Sequence, residues 1–194
     1  MDGEARKPGE RRMQILQTLA AMLQEPQPEK ITTAALAARI GVSEAALYRH
    51  FSSKAQMYEG LIEFIEQTLF GLIARITVDT PSPLAQVDAI LGMLLNFAAK
   101  NPGMTRVLIG EALVHENERL QKRINQLHDR LEAQLRQCLR LAGEPTAEHS
   151  GPFANLLVCT VVGRWHQFAK SGFKRQPGGD IDLLLARLLG AQPV

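Results

Sequence analysis

The chain has 194 residues, of which 45% are hydrophobic, and its formal net charge is +2. This composition supplies a sizeable core for one extended domain or two small ones, and it excludes a chain that is disordered throughout. Without an apolar signal core or a membrane-length apolar run, the sequence predicts a cytoplasmic protein that does not bind membranes.

The charged residues are distributed unevenly. Residues 1–54 contain 8 Lys and Arg against 6 Asp and Glu (8 − 6 = +2), and residues 55–115 contain 3 against 6 (3 − 6 = −3). The remaining residues contain 11 against 8 (11 − 8 = +3). Any surface that binds nucleic acid must therefore be local and not spread over the whole protein.

The N-terminal region is predicted to contain a disordered arm followed by one helix. Residues 1–10 mix glycine, proline and charge without periodicity, which is typical of an arm that has no core to pack against. Residues 11–23 carry apolar side chains at helical spacing, and the two prolines of EPQPE end that helix.

Two short helices separated by a glycine are predicted next. The first begins at Thr33, a favourable N-cap, and Gly41 follows it as a C′ glycine that reverses the chain. Ser43 caps the second, which runs to Phe51. Residues 11–54 are therefore predicted to form a helix-turn-helix unit, which we call the head, and residues 55–194 a larger helical body.

The rest of the chain is predicted to be helical as well. No segment shows the alternation of a strand, so the predicted fold class is all-α with about nine helices. Beyond the head, the predicted helices cover about 55–79, 84–99, 102–114, 116–141, 153–170 and 180–189. The helix at 116–141 is the most regular of them because leucine and isoleucine form one continuous stripe along it.

The sequence contains no pattern typical of a metal or catalytic site. Cys138 and Cys159 lack the CxxC spacing of zinc ligands, and we expect both to be reduced thiols in the core. His115 and Glu116 adjoin in HENER, but the second histidine of HExxH is missing. Without a Gly-rich phosphate loop or an acid/base pair, we predict no cofactor, no metal and no enzymatic activity.

The segment GVSEAALYRHF at 41–51 has an unusual outer face for a surface helix. With 100° per residue, Leu47 and Phe51 point to the core, whereas Ala45 and Arg49 point away from it. Alanine lets a helix approach a base edge closely, and arginine can donate two hydrogen bonds to guanine or contact a phosphate. We interpret this face as a candidate surface for double-stranded DNA, with a three-helix packing unit without a ligand as the alternative.

Neighbouring polar residues complete the candidate DNA surface. Tyr48 and His50 can donate hydrogen bonds to phosphate oxygens, and Lys54 would support them. Thr33 and the free N–H groups at the start of its helix also suit a phosphate. The predicted DNA-binding residues are Thr32, Thr33, Ser43, Glu44, Ala45, Ala46, Tyr48, Arg49, His50 and Lys54.

The segment ITTAALAARIGVSEAALYRHFSSKAQMYEGLIEF resembles the N-terminal helix-turn-helix of the TetR family, from its threonine cap through GVS to the YxHF-like ending and a lysine. The remaining helices, in number and length, are similar to the dimerising body of that family. The resemblance implies a homodimer that pairs through its last two helices, here 153–170 and 180–189. Two heads on one dimer imply a near-palindromic DNA site.

The body resembles one branch of that family, the nucleoid occlusion factors of gammaproteobacteria. The segments GLIEFIEQTL and KNPGMTRVLIGEALVHENERLQKRINQLHDRLEAQLRQCLR carry this likeness, which is dense from about Arg11 to Arg140. It implies dimers on chromosomal DNA that bind the C-terminal tail of the division protein FtsZ and antagonise its polymers, so that no septum forms over the nucleoid. The branch's tail-contacting positions correspond to Phe64, Leu72, Met93, Asn96, Lys100 and Asn101.

These six positions match the branch unequally. Phe64 and Asn101 are shared with it, whereas Lys100 replaces an arginine and Met93 a leucine. Leu72 stands where an arginine is expected and Asn96 where a glycine is expected, which weakens the electrostatic part of the contact. The alternative at these positions is ordinary packing, with Phe64 in the core and Asn101 as the cap of the next helix.

A second function is compatible with the same DNA-binding head. A TetR-type transcriptional repressor would hold a small apolar effector in its helical body instead of a protein tail. Such pockets are usually lined by aromatic and polar groups, and only 5% of this chain is aromatic. The composition counts weakly against the repressor, and release of the protein from DNA by a small molecule would support it.

Overall fold

The computed structural model describes residues 8–25, 31–143 and 147–180, and these residues contain helices and no strand, which confirms the predicted all-α class. One 3-10 turn lies at Glu111–Leu113. The α-helices are α1 (Pro8–Leu23), α2 (Thr33–Ile40), α3 (Glu44–Tyr48), α4 (Lys54–Asp79), α5 (Pro83–Lys100), α6 (Pro102–Leu108), α7 (Glu118–Leu141) and α8 (Ser150–Lys170).

Two predicted boundaries in the head need correction, and two predicted segments lie at least partly outside the described residues. Helix α1 begins at Pro8, so residues 8–10 of the predicted arm are helical. Proline is well suited to a first helical position, and Glu10 adds an acidic residue to the first turn. The N-cap of α2 is Thr32 and not Thr33. Residues 1–7 and the predicted helix at 180–189 fall outside the described residues, apart from Asp180.

The predicted helix at 102–114 is wrong because the chain leaves the helical path after Leu108. Gly110 has a left-handed backbone with φ 78°, and its N–H bonds to the carbonyl of Val107. This left-handed backbone favours glycine, and a Cβ atom here would lie 2.4 Å from Oε1 of Gln121, so a side chain would displace the end of the Gln121 side chain. The 3-10 turn follows, and α7 then begins after the N-cap Asn117.

The head is a small cluster of α1, α2 and α3 built around fully buried side chains. Leu36 of α2, Leu47 of α3 and Phe51 are each at most 1% exposed. The body joins this cluster closely, since a Cβ atom at Gly60 of α4 would lie 3.0 Å from the Phe51 ring. The orientation of the head is therefore tied to the first turns of α4.

Helix α6 gives the head a second attachment to the body. A Cβ atom at Gly103 would lie 1.9 Å from the carbonyl oxygen of Ala20 in α1, so the two helix backbones are in direct contact. The buried guanidinium of Arg106 donates to the carbonyl of Glu25 at 3.1 Å and pairs with Glu111 at 3.3 Å. A single basic residue thus links the end of α1 to the 3-10 turn.

Helices α4 and α7 run parallel, because their cross-contacts advance together along both helices. Arg119 pairs with Glu59 at 2.8 Å, and Arg123 pairs with Glu66 at 2.6 Å. Further along, the Arg130 guanidinium lies 3.8 Å from the centroid of the Phe70 ring. The stripe of seven buried residues in α7, from Leu120 to Leu139, packs beneath these contacts as the sequence predicted.

Helix α8 packs on α7 and α5 and closes the core of the body. Trp165 is fully buried, and its indole N–H donates to the carbonyl of Leu94 at 3.3 Å. The prediction of two core thiols is confirmed for Cys138, which is buried, but is wrong for Cys159, which is exposed. Cys159 lies on a solvent-exposed side of α8, which helical periodicity alone did not distinguish from the buried side.

Within the described parts of the chain, none of the helices is long and apolar enough to span a membrane. The same residues include no group of three or more His, Cys, Asp and Glu side chains arranged to hold a metal ion.

Candidate nucleic-acid and partner surfaces

The turn between α2 and α3 is built by local capping. Gly41 has φ 78°, and its N–H bonds to the carbonyls of Ala37 and Ala38. Ser43 then caps α3, since its hydroxyl oxygen accepts a hydrogen bond from the N–H of Ala46 at 3.3 Å. These two residues reverse the chain sharply, which places α3 against α2 with one face outward.

Helix α3 presents the face that the sequence predicts. Leu47 is 0% exposed and Tyr48 is 45% exposed, and Ala45 and Arg49 are also exposed. The predicted length is wrong, however, because the helix ends at Tyr48 and Arg49 is its C-cap. Phe51 reaches the core through a turn in which its N–H bonds to the Leu47 carbonyl at 3.1 Å. The outward face is thus formed by a five-residue helix together with its C-cap, Arg49.

Several predicted DNA-binding side chains already have intramolecular partners. The Thr32 hydroxyl oxygen accepts from the N–H of Ala35 at 3.1 Å and so acts as the α2 cap. Thr33 donates to Oε2 of Glu44 at 2.6 Å, and the Tyr48 hydroxyl donates to Thr33 at 3.4 Å. The structure therefore brings Thr33, Glu44 and Tyr48 together in one exposed chain of hydrogen bonds.

Lys54 is held by the body rather than standing free at the edge of the head. Its ammonium lies 2.5 Å from Oε1 of Glu116, and both side chains are largely shielded from solvent. It also lies 5.7 Å from the centre of the Tyr58 ring. Burial, and after it the Glu116 carboxylate, raises the pKa of Tyr58. Glu116 comes 62 residues after Lys54, and no local sequence signal indicated this contact.

Arg12 is a second residue near the candidate surface that the sequence patterns did not single out. Its guanidinium stacks on the Phe51 ring at 4.1 Å from the centroid and donates to the backbone carbonyl of His50 at 3.2 Å. The contact anchors the turn after α3 to α1. Only the position of Arg12 on the polar side of α1 could have suggested it.

Five of the six predicted FtsZ-binding residues lie on two adjoining helices, and the sixth directly follows the second of them. Helices α4 and α5 contact each other, with Phe64 and Leu72 half-buried on α4 and Met93 half-buried on α5. Asn96 and Lys100 are exposed one turn apart on α5. They are followed by Asn101, which precedes α6.

Two of these residues have specific surroundings. The Asn101 side chain donates to the carbonyl of Phe97 at 2.8 Å and makes no side-chain capping bond to α6. Asn96 lines a cavity of about 350 Å³ with Gly92, Ala99 and the segment 176–179 that follows α8. Asn96 is therefore exposed on α5 and also faces the segment 176–179 across this cavity.

The outward side of α8 carries small and apolar residues beside a second cavity. Leu156 is 45% exposed, and Cys159 and Gly163 follow it at helical spacing. Gly163 and Cys159 line a cavity of about 510 Å³ that reaches Asp180. Arg164 closes one wall by donating to the carbonyls of Pro177 and Gly179.

The architecture agrees with two family models. Residues 15–61 match bacterial regulatory proteins of the tetR family, and residues 82–189 match the tetracyclin repressor-like C-terminal domain of the SlmA-like type. The head and body together thus define a helix-turn-helix protein that binds DNA and forms dimers.

Curated relatives identify the branch. Proteins named nucleoid occlusion factor SlmA from Alteromonas mediterranea and a Marinomonas species are 50% and 49% identical to this chain. The first alignment covers 86% of this chain and 88% of the relative, and the second 88% and 89%. The protein of that name from Aliivibrio fischeri is 47% identical, with 96% and 97% covered. The chain belongs to the SlmA family of nucleoid occlusion factors, a branch of the TetR family.

Solved structures agree at the level of the fold. The regulator FadR from Bacillus subtilis, in complex with stearoyl-CoA, has a TM-score of 0.74 at 14% identity, over 93% of this chain and 99% of FadR. A TetR-like regulator from a Rhodococcus species has a TM-score of 0.73 at 19% identity, over 92% and 93%. The fold is therefore shared with ordinary regulators, and it is the closer curated relatives that favour nucleoid occlusion over the repressor.

Proposed function

We propose that the protein is a nucleoid-associated, cytoplasmic factor whose dimers bind near-palindromic chromosomal DNA through the head at 11–54. The outward face of α3 carries the proposal, because Ala45, Tyr48 and Arg49 are exposed beside a fully buried Leu47. A short alanine-bearing helix can enter a major groove closely, and an exposed arginine can reach a base or phosphate. The remaining predicted residues other than Glu44, whose carboxylate is repelled by phosphates, are proposed to position this helix on the DNA backbone.

Binding to duplexes selected from a randomised pool tests the DNA surface. Arg49→Ala should weaken binding about tenfold or more, since a positively charged groove contact is lost, and Tyr48→Phe should weaken it less. Arg140→Ala, at the exposed far end of α7, is the matched control. Unchanged affinity in both head variants would remove α3 from the contact surface.

The dimer is proposed to pair through α8 and the segment after it. The exposed Leu156 and the small residues Cys159 and Gly163 make this side of α8 suited to close packing against a second copy. A two-fold pairing here would present two copies of α3 to the same DNA duplex, which matches a near-palindromic site.

The body at 55–194 is proposed to bind the C-terminal tail of FtsZ on the adjoining surfaces of α4 and α5, and so to antagonise FtsZ polymers over the nucleoid. Phe64, Leu72 and Met93 supply half-buried apolar area, and Lys100 and Asn96 supply exposed polar groups. An apolar strip with a few polar groups suits a short acidic and apolar peptide. Membership in the SlmA family is what directs this proposal to FtsZ.

The effect on FtsZ is tested by sedimenting FtsZ polymers with the DNA-bound protein. Lys100→Glu should reduce binding of the FtsZ tail about tenfold or more through charge repulsion, and Phe64→Ala through lost apolar contact. Lys122→Glu makes the same charge change on the exposed side of α7 and should leave FtsZ binding intact. All three variants should keep their DNA affinity. A wild-type dimer on DNA that leaves FtsZ sedimentation unaltered would contradict the proposal and favour the repressor.

A further inference from the structure

An acidic residue occupies the first position of the helix proposed to enter the groove. Glu44 is the first residue of α3, and its side chain is exposed. Phosphates repel a carboxylate, so Glu44 opposes the general affinity of the head for DNA. We therefore expect a contribution of Glu44 to DNA recognition in addition to its stabilisation of the helix.

The carboxylate of Glu44 is held in place from outside its own helix. Thr33, the first residue of α2, donates to Oε2 of Glu44 at 2.6 Å. The Tyr48 hydroxyl, one turn further along α3, donates to the same threonine oxygen at 3.4 Å. A three-member chain of hydrogen bonds restricts the rotation of an otherwise flexible side chain before any ligand arrives.

Among the described residues, the Glu44 carboxylate is exposed and forms no ion pair. Two basic residues of the head have other acidic partners: Arg39 pairs with Glu25 at 3.2 Å, and Lys54 pairs with Glu116. The threonine bond uses one of about four lone-pair positions that a carboxylate offers. Glu44 consequently keeps strong acceptor capacity toward the solvent side of α3.

A fixed acceptor at the start of a groove-entering helix has one good partner on DNA. In the major groove, cytosine presents an N4 amino donor with no acceptor beside it on the same base, whereas adenine presents its N6 donor next to the N7 acceptor. Guanine presents only the O6 and N7 acceptors and thymine the O4 acceptor. Residues at the N-terminal end of a recognition helix are the ones that reach base edges. A carboxylate there attracts the amino donor of the correct base and repels phosphates and acceptor edges. The attraction and the repulsion both increase the difference in affinity between the correct site and other DNA.

We propose that Glu44 is a specificity-determining residue that accepts a hydrogen bond from the N4 amino group of a cytosine in each half-site, with Thr33 as its positioning residue. This inference rests on the proposed DNA surface. In this role Glu44 lowers the affinity of the head for DNA in general and raises the ratio of specific to non-specific binding.

The test begins with duplexes selected by the wild-type protein from a randomised pool. Glu44→Gln should tighten binding to an unrelated duplex and lower the specificity ratio about tenfold, with the loss confined to one cytosine per half-site. Replacing that cytosine by a pyrimidine analogue without the N4 amino group should weaken wild-type binding and leave Glu44→Gln binding almost unchanged. Thr33→Val, which keeps the charge but removes the donor, should lower the ratio by a smaller factor.

Base preference separates this role from a structural one. Glu44→Asp keeps the charge at the helix start but shortens the reach, so it should fold as the wild type does and still lose the cytosine preference. The proposal is overturned if Glu44→Gln and Glu44→Asp both keep the wild-type specificity ratio and base preference. Failure of the wild type to select any duplex would instead overturn the DNA-binding surface itself.

Discussion

The contact between α1 and α6 leaves no room for a side chain at Gly103. A Cβ atom there would lie 1.9 Å from the Ala20 carbonyl oxygen, whereas real contacts of this kind are at least 3.0 Å long, so the helices would have to separate by 3.0 − 1.9 = 1.1 Å. Overpacking that moves a backbone costs about 3 kcal/mol. For a chain of this length, Gly103→Ala should therefore lower Tm by about 6–12 °C.

The displacement should also reach the DNA surface, because α1 carries the Arg12 contact to His50 at the end of the recognition turn. Melting curves at equal protein concentration, followed by DNA titration below Tm, measure both effects. Gly71→Ala is the matched control, since a Cβ atom at Gly71 has no neighbour within 4 Å and the helix should gain about 1 kcal/mol. If Gly103→Ala melts within a degree or two of the wild type, α1 and α6 are not in the backbone contact described here.

Three further predictions concern the ion pair at the head, a buried histidine and the dimer. Glu116→Gln should free Lys54 for phosphate and make the slope of log affinity against log salt steeper by about 0.9 per protomer, and an unaltered slope in DNA titrations would count against this. His128 packs against Trp165, and its pKa is lowered mainly by burial, so the unfolded chain binds the proton first and stability should fall as pH drops below about 6.5. Urea unfolding at pH 5.5 and 7.5 should show this loss in the wild type and in the exposed control His115→Gln but less of it in His128→Phe, and an equal loss in His128→Phe would refute the assignment. A side chain at Gly163 meets no atom within 4 Å in the protomer, so Gly163→Arg should fold. If α8 pairs with a second copy, sedimentation should detect monomers of this variant, whereas an intact dimer would exclude this face of α8 from the dimer interface.

Features set by neighbouring residues were predictable from the sequence. The stripe of α7 and the outward face of α3 follow from helical spacing, and Gly41 and Ser43 act through bonds to residues only three or four positions away. The succession of helices along the chain therefore follows from local sequence patterns, without knowledge of the tertiary contacts.

Features set by distant contacts were not predictable. The Lys54–Glu116 pair joins residues 62 positions apart, and Arg106 contacts Glu25 from 81 positions away. The turn at Gly110 packs against Gln121 of α7, and the exposure of Cys159 depends on which side of α8 meets the core. In each case an interhelical packing choice decides the outcome, and one sequence does not encode that choice locally.

The buried Arg106 has a consequence for exchanging parts between members of this family. Its guanidinium contacts the end of α1, the 3-10 turn and, at 4.9 Å, the ring of Phe173 beyond α8. A chimera joined at residue 54 would keep every DNA-facing side chain of the head but would take its α6 contacts from the recipient body. The head of this protein therefore keeps its fit in another body only where that body supplies matching α6 contacts, so the unit that sets head orientation is discontinuous in sequence.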